Sequence, residues 1–148
     1  MTTPRIVVLV GLPGSGKSTY LEKIGAPTLS SDAIRGLLAD DPTDQTIHSR
    51  VFSTLRRLLR QRLELRRPVT CIDATNLTPR DRRPYLKLGE LYNCAVEALF
   101  FDVPLGTCLE RNRGRDRVVP ADAVERMAAK LRPPTLEEGF SKVTVLRE

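Results

Sequence analysis

Apolar positions along the chain change between two patterns, and the change marks out alternating strands and helices. Residues 5–10 (RIVVLV) and 68–73 (PVTCID) are short apolar runs. Runs of this kind are typical of strands buried on both faces of a sheet. Weaker runs predict three further strands, at residues 27–31, 95–103 and 142–146.

Helices are predicted between these strands, beginning near residue 17 and over 32–39, 43–67, 79–92, 105–113 and 121–131. The longest carries one apolar stripe at helical spacing, made of Ile47, Val51, Leu55, Leu58, Leu59 and Leu63. Thr78 and Pro79 have the residue types preferred at a helix start. The alternation of strands and helices predicts an α/β domain with a mainly parallel sheet flanked by helices, as a single domain over residues 1–148.

A phosphate-binding motif follows the first strand. Residues 11–18 (GLPGSGKS) match G-x-x-x-x-G-K-S, the P-loop, and open a helix. We expect ATP phosphates to contact Gly11, Gly14, Ser15, Gly16, Lys17, Ser18 and Thr19. Lys17 would reach the β and γ phosphates, and the Ser18 hydroxyl would bind Mg²⁺. The motif narrows the fold class to a P-loop NTPase type.

Asp73 ends the strand at residues 68–73 and is a second candidate Mg²⁺ residue. The alternative is that it only caps the following turn. Asn76 lies nearby, and the pattern assigns it no role.

Asp32 and Arg35 stand three residues apart at the start of the helix after the second strand. The simplest interpretation is that Asp32 complements the helix dipole and pairs with Arg35. The carboxyl ends of parallel strands share one edge of the sheet, however, so Asp32 should lie near the P-loop. A carboxylate there can accept a proton from an attacking hydroxyl, and the neighbouring arginine can hold a phosphate of the acceptor.

Four arginines fall within residues 111–117: Arg111, Arg113, Arg115 and Arg117. Arginine in this position can stabilise the charge that spreads over a transferred phosphoryl group, which predicts an Arg-rich lid with Arg111 and Arg115 as its catalytic members. The alternative is a solvated basic loop. A solvated face is expected for Arg56, Arg57, Arg60 and Arg62, and a structural or surface position for His48.

Composition changes this picture little. The net charge of +6 permits a nucleic-acid partner without requiring one. The cysteines (Cys71, Cys94 and Cys108) are unclustered, which argues against a disulfide scaffold or zinc site and favours a reduced, cytoplasmic setting, with Cys71 in the core. No apolar run has the length of a membrane span, so we expect no membrane association.

Beyond the P-loop, three stretches carry a family resemblance: SSDAIRGLLADDPTDQ, DATNLTPRDRR and FFDVPLGTCLERNRGR followed by VP. Together they resemble the 5′-hydroxyl polynucleotide kinases, both phage-type enzymes and the kinase domain of bacterial polynucleotide kinase–phosphatase end-repair proteins. The likeness runs from about Ile6 to Leu146. It implies transfer of the ATP γ-phosphate, with Mg²⁺, to the 5′-OH end of DNA or RNA.

By position, the resemblance implies that Lys17 and Ser18 serve the donor phosphates and metal, and that Asp32 is the general base. Arg35 would hold the first internucleotide phosphate, and Arg111 and Arg115 the ATP phosphates. It also implies a phosphatase or ligase partner, as a separate protein or a missing domain. Two alternatives stay open: a kinase for a small-molecule hydroxyl (a sugar, antibiotic or sugar-nucleotide), and a nucleotide-dependent binding module for nucleic-acid ends.

Overall fold

A computed structural model describes residues 3–115 and 118–147. Its centre is a five-stranded, wholly parallel sheet in the order β2-β3-β1-β4-β5. The strands are β1 (Arg5–Val10), β2 (Thr28–Ser30), β3 (Val69–Asp73), β4 (Ala95–Phe101) and β5 (Lys142–Leu146). The predicted fold class is therefore confirmed.

In the described residues, six α-helices connect and flank the strands: α1 (Lys17–Ile24), α2 (Ser31–Ala39), α3 (His48–Glu64), α4 (Pro79–Leu91), α5 (Leu105–Arg113) and α6 (Ala121–Lys130). Short 3₁₀ turns occupy Gln45–Ile47 and Leu136–Glu138. Within the described ranges, no helix is both long enough and apolar enough to cross a membrane.

The core lies on both faces of the sheet. The larger cluster joins β1, β3 and β4 to the apolar sides of α2, α3 and α4, with Val51, Leu55, Leu59 and Leu63 fully buried. The smaller cluster packs Leu21 of α1 against Leu9, Cys71 and other residues of the opposite face. Cys71 is thus a core residue, as predicted.

The longest helix begins five residues later than the sequence pattern predicts. Asp44 accepts hydrogen bonds from the N–H and hydroxyl of Thr46, at 2.9 and 2.6 Å, which holds a tight 3₁₀ turn ahead of α3. Ile47 belongs to that turn, and Leu58 is 41% exposed, so the buried stripe is narrower than predicted. The strand predicted over 95–103 likewise ends at Phe101, shortly before Pro104.

One of the four arginines expected on a solvated face does not lie there. Arg62 crosses to the start of β3, where its Nε donates to the Thr70 hydroxyl at 2.8 Å and its Nη2 to the Val69 carbonyl at 2.9 Å. Its guanidinium thus supplies hydrogen-bond donors to two polar groups at the start of β3 that α3 packs over. The hydrophobic pattern of α3 gives no sign of this contact.

Parallel pairing places the candidate site residues at one edge of the sheet. Ser30, the last residue of β2, lies opposite Asp73, the last residue of β3, and the P-loop begins directly after the end of β1. The loops after these three strands therefore meet, as expected for an open α/β sheet.

Candidate active site

The P-loop has a backbone shape that depends on two glycines. Gly14 and Gly16 have φ angles of 84° and 100°, in the left-handed region that favours glycine. A Cβ added to Gly14 would lie 2.5 Å from the carbonyl oxygen of Cys108 on α5. Gly16 is the N-cap of α1, so its conformation sets the direction of the helix N-terminus. That terminus offers unpaired N–H groups and partial positive charge to an anion.

Lys17 lies folded into the loop it follows. Its Nζ donates to the carbonyl oxygens of Gly11 and Leu12, both at 2.8 Å. Burial lowers the pKa of this ammonium group to about 8, against a raising influence from Asp73 and a further lowering one from Arg115. Lys17 is therefore a cation whose charged form gains from added negative charge.

Beside the P-loop there are also oxygen atoms suited to binding a hard cation. The Ser18 and Asp73 side chains line one cavity with the P-loop. Burial raises the pKa of the half-buried Asp73 carboxyl, while Lys17 lowers it. A hydroxyl and a carboxylate, completed by phosphate oxygens and water, form the donor set that Mg²⁺ prefers. In the described ranges no group of three or more His, Cys, Asp or Glu side chains forms a metal site of its own.

Asp32 and Arg35 form an ion pair that lines the same cavity. Arg35 Nη1 donates to Asp32 Oδ1 at 3.0 Å, so the simple pairing expected from their spacing occurs. The Asp32 side chain is 48% exposed, whereas Arg35 is 4% exposed. Ser30 begins this helix, its hydroxyl accepting from the Ala33 N–H at 3.2 Å. Both charged residues line the cavity that the P-loop also lines, so their ion pair does not exclude a role there.

The Arg35 guanidinium is incompletely satisfied. Its Nε is buried and has no hydrogen-bond partner in the described part of the protein. A buried donor without an acceptor is costly, and charged donors more so. An acceptor oxygen supplied by a ligand at this point would remove that cost.

Two of the predicted lid arginines lie on the cavity wall, Arg111 exposed and Arg115 half-buried. A Cβ added to Gly16 would come within 3.7 Å of Arg111 Nη1, which shows how near this guanidinium is to the P-loop. Arg113 is exposed and is not among the residues that line this cavity. Arg117 lies outside the described residues.

Asn112, on α5 next to Arg111, makes a contact that the sequence did not predict. Its amide nitrogen donates to the Val119 carbonyl, and its Oδ1 accepts from the Val119 N–H at 3.1 Å. Asn112 is 2% exposed. Asn112 thus joins the end of α5 to Val119, shortly before α6. In the sequence, the available signal was an Asn between two arginines.

Asn76 has a structural position. Its Nδ2 donates to the carbonyl oxygens of Leu9 at 2.7 Å and Ala74 at 3.3 Å, and its own carbonyl accepts from Arg82 at 2.8 Å. Its φ of 48° lies in the left-handed region that Asn tolerates better than most residues. Asn76 therefore joins the end of β1, just before the P-loop, to the buried Arg82 on α4.

The cavity that unites these groups has a volume of about 1500 Å³. It is lined by Gly14, Ser15, Gly16, Lys17, Ser18, Thr19, Asp32, Arg35, Asp73, Arg111 and Arg115, which are nearly all of the predicted site residues. Gly11 is not among the residues that line the cavity, and its N–H donates to the Thr75 carbonyl at 3.1 Å. His48, expected to be structural or at the surface, is exposed and lines this cavity with Thr43, Gln45 and Phe52, a side that the sequence analysis missed.

A protein-family model described as the AAA domain matches residues 6–134. The chain belongs to this AAA domain family. This match agrees with the P-loop and the parallel sheet flanked by helices described above.

Solved structures with this fold belong to proteins of different functions. A chain of the Pnkp1/Rnl/Hen1 RNA repair complex is 23% identical with a TM-score of 0.74, the match covering 88% of this chain and 45% of that one. A gluconokinase from Sinorhizobium meliloti 1021 is 19% identical with a TM-score of 0.62, and the match covers 99% of this chain and 84% of the gluconokinase. The APS kinase CysC of Mycobacterium tuberculosis, in complex with AMPPNP and APS, is 19% identical with a TM-score of 0.62, covering 98% and 90%. The chain thus spans less than half of the RNA-repair chain that it matches, and these likenesses establish the fold alone.

Proposed function

We propose that this AAA domain protein is an ATP-dependent polynucleotide 5′-hydroxyl kinase of nucleic-acid end repair. The observation that carries the proposal is the buried Arg35 guanidinium beside Asp32, in the same cavity as the P-loop. A proton-accepting carboxylate next to a buried cation suits an acceptor that offers both a hydroxyl and a phosphate. The 5′ end of a nucleic-acid strand offers both, because its terminal nucleotide carries a 5′-OH and a 3′ phosphate.

Asp32 is the proposed general base. Half of its side chain is exposed, so an incoming hydroxyl can reach the carboxylate, while Arg35 orients it from the buried side. As the 5′ oxygen forms its bond to the γ-phosphorus, the bond to the β–γ bridging oxygen breaks and the hydroxyl proton passes to Asp32. Arg35 holds the acceptor's 3′ phosphate, which supplies the missing partner of its Nε.

The donor half positions ATP and stabilises charge. The P-loop N–H groups hold the phosphates, and Lys17 exchanges its carbonyl partners for the β and γ phosphate oxygens. Ser18 and Asp73 would hold Mg²⁺, which neutralises developing charge on the phosphates when it is bound. Arg111 and Arg115, which line the cavity with the P-loop, would contact the transferred group as a lid.

We further propose that the chain acts as one kinase domain over residues 1–148, with a phosphatase or ligase as its partner. The support is the fold shared with a chain of an RNA repair complex, of which this chain spans less than half. Co-purification of the protein with a phosphatase or a ligase tests this proposal.

A kinase for a small-molecule hydroxyl is the second candidate. The likeness to a gluconokinase over nearly the whole chain favours it. Arg35 would then hold a different anionic group of the acceptor.

The deciding experiment measures transfer of label from γ-labelled ATP to a 5′-OH oligonucleotide in the presence of Mg²⁺. Label should appear with the wild-type protein and not with Asp32→Ala. A gluconate or nucleoside acceptor tested in parallel should compete poorly. ATP binding without transfer to any oligonucleotide would refute the polynucleotide proposal and favour the small-molecule acceptor.

A further inference from the structure

A second cavity of about 410 Å³ adjoins the proposed active site. Four residues line both cavities: His48, Thr75, Ala123 and Met127. The two cavities are therefore parts of one groove. The second part lies between the starts of α3 and α4 and one face of α6. A small acceptor fills only the first part of such a groove.

One wall of the second cavity is a single face of α6. Ala123, Arg126, Met127 and Lys130 all line it, at the three- and four-residue spacing of one helix side. Two apolar side chains thus stand beside two cations. Arg126 pairs with Asp122 at 2.9 Å, but both side chains are more than 60% exposed, so this pair is weak and is readily exchanged for a ligand.

The facing wall comes from the starts of α3 and α4. The His48 ring packs on Phe52 with centroids 4.7 Å apart, so an aromatic surface marks the junction of the two cavities. Asp81 is the one carboxylate among the lining residues, and its Oδ2 accepts from the Thr78 N–H at 3.3 Å in a capping box. That bond ties the negative charge to the start of α4.

Cations beside an aromatic and apolar surface are the combination that binds single-stranded nucleic acid without base specificity. We propose that the second cavity is a subsite for the next nucleotide of the acceptor strand. The base of that nucleotide would lie against His48, and its phosphate would contact Arg126 and Lys130. This inference rests on the proposed polynucleotide kinase function and adds to it the length of acceptor that the protein recognises.

The test compares two acceptors that share the terminal nucleotide and its 3′ phosphate. One is a nucleoside 3′-monophosphate, and the other is a dinucleotide with a 3′ phosphate. We expect kcat/KM to be roughly tenfold higher for the dinucleotide, from one added stacking contact and one added phosphate contact. In Arg126→Gln/Lys130→Gln, the ratio of the two kcat/KM values should fall about three- to tenfold.

A matched control removes the same charge elsewhere. Arg57 and Arg60 are exposed on α3 and line neither cavity, so Arg57→Gln/Arg60→Gln should keep the wild-type ratio. Equal use of both acceptors by the wild-type protein would overturn the subsite and leave the kinase proposal standing. An equal fall of the ratio in both double variants would also overturn it, since the effect would then be general charge. No transfer to either acceptor would overturn both proposals.

Discussion

The two halves of the large cavity are built in different ways. The centre of the donor half is one contiguous segment, the P-loop, whose shape is set by the backbone, and its lysine already has carbonyl partners at 2.8 Å. The acceptor half is assembled from side chains of α2, the 3₁₀ turn and α3, and it holds a buried guanidinium with one donor unpaired. Lys17 is therefore already satisfied within the protein, and a ligand must displace its contacts with the loop carbonyls. The acceptor half leaves a specific gap for a ligand to fill.

The largest expected effect concerns Asp32, the proposed base that would take the acceptor's proton during transfer from ATP. Asp32→Ala should lower turnover by roughly 10² to 10⁴ while leaving ATP affinity close to wild type, because the proposed general base is lost and the P-loop is intact. Asp32→Asn keeps a hydrogen-bond acceptor for Arg35, and its turnover should fall as far as that of Asp32→Ala. Turnover is measured by label transfer at saturating substrates.

Glu90→Gln is the control for charge, because Glu90 is exposed on α4 and lines neither cavity. It should match the wild type. Wild-type turnover in Asp32→Asn would show that Asp32 positions Arg35 without taking the proton.

Next is the backbone of the donor half. Gly14→Ala should weaken ATP binding at least about tenfold, because φ is 84° and the new Cβ would lie 2.5 Å from the Cys108 carbonyl oxygen. Gly106→Ala is the matched control, since an added Cβ there has no heavy atom within 4 Å. Calorimetric titration with ATP measures both variants. Equal affinities in the two would contradict a donor site that depends on backbone shape.

The acceptor half should respond differently. Arg35→Gln should raise the acceptor KM roughly tenfold or more, with the KM for ATP unchanged, because one charged hydrogen-bond donor to the acceptor phosphate is lost. Arg35→Lys should recover part of the loss, since it restores the charge without the planar fork. Steady-state kinetics with an oligonucleotide measures both constants.

Arg50→Gln removes an exposed α3 charge outside both cavities and should leave both constants unchanged. A rise in the ATP constant alone for Arg35→Gln would place Arg35 in the donor half and refute its assignment.

The smallest expected effect is the uptake of a proton by Lys17 when ATP binds. With a pKa of about 8, Lys17 is mostly neutral at pH 8.5 in the free protein, and phosphate binding favours its charged form. ATP binding at pH 8.5 should therefore take up as much as roughly three quarters of a proton, with little uptake from this group at pH 7. Titration calorimetry in two buffers of different ionisation enthalpy measures the uptake. Equal heats in both buffers at pH 8.5 would show that Lys17 is already charged before ATP arrives.

Much of the fold could be predicted because its signals are local. The five strands and six helices follow from apolar runs, helical spacing and start residues, and each is found in the predicted order. The errors fall where a side chain overrides the pattern. Asp44 holds a 3₁₀ turn where residues 43–47 were expected to be helical, and Arg62 leaves its expected face to bond with β3.

The candidate site was predicted unevenly. The P-loop motif brought its own residues together, and parallel strand order placed Asp32 and Asp73 at the same edge. His48, Asn76 and Asn112 were missed or left without a role, because what they contact lies in other elements. A pattern within one helix or loop does not encode such contacts.

By itself, the sequence determined the alternation of elements, the phosphate-binding loop and the Asp32–Arg35 spacing, since each depends on neighbours along the chain. The tertiary structure decided that Arg35 is buried with one donor unpaired, that Lys17 is buried among loop carbonyls, and that a second cavity extends the site. The physical reason is that burial and hydrogen-bond satisfaction depend on which distant elements pack together. In this protein those are the properties that distinguish the acceptor half from the donor half.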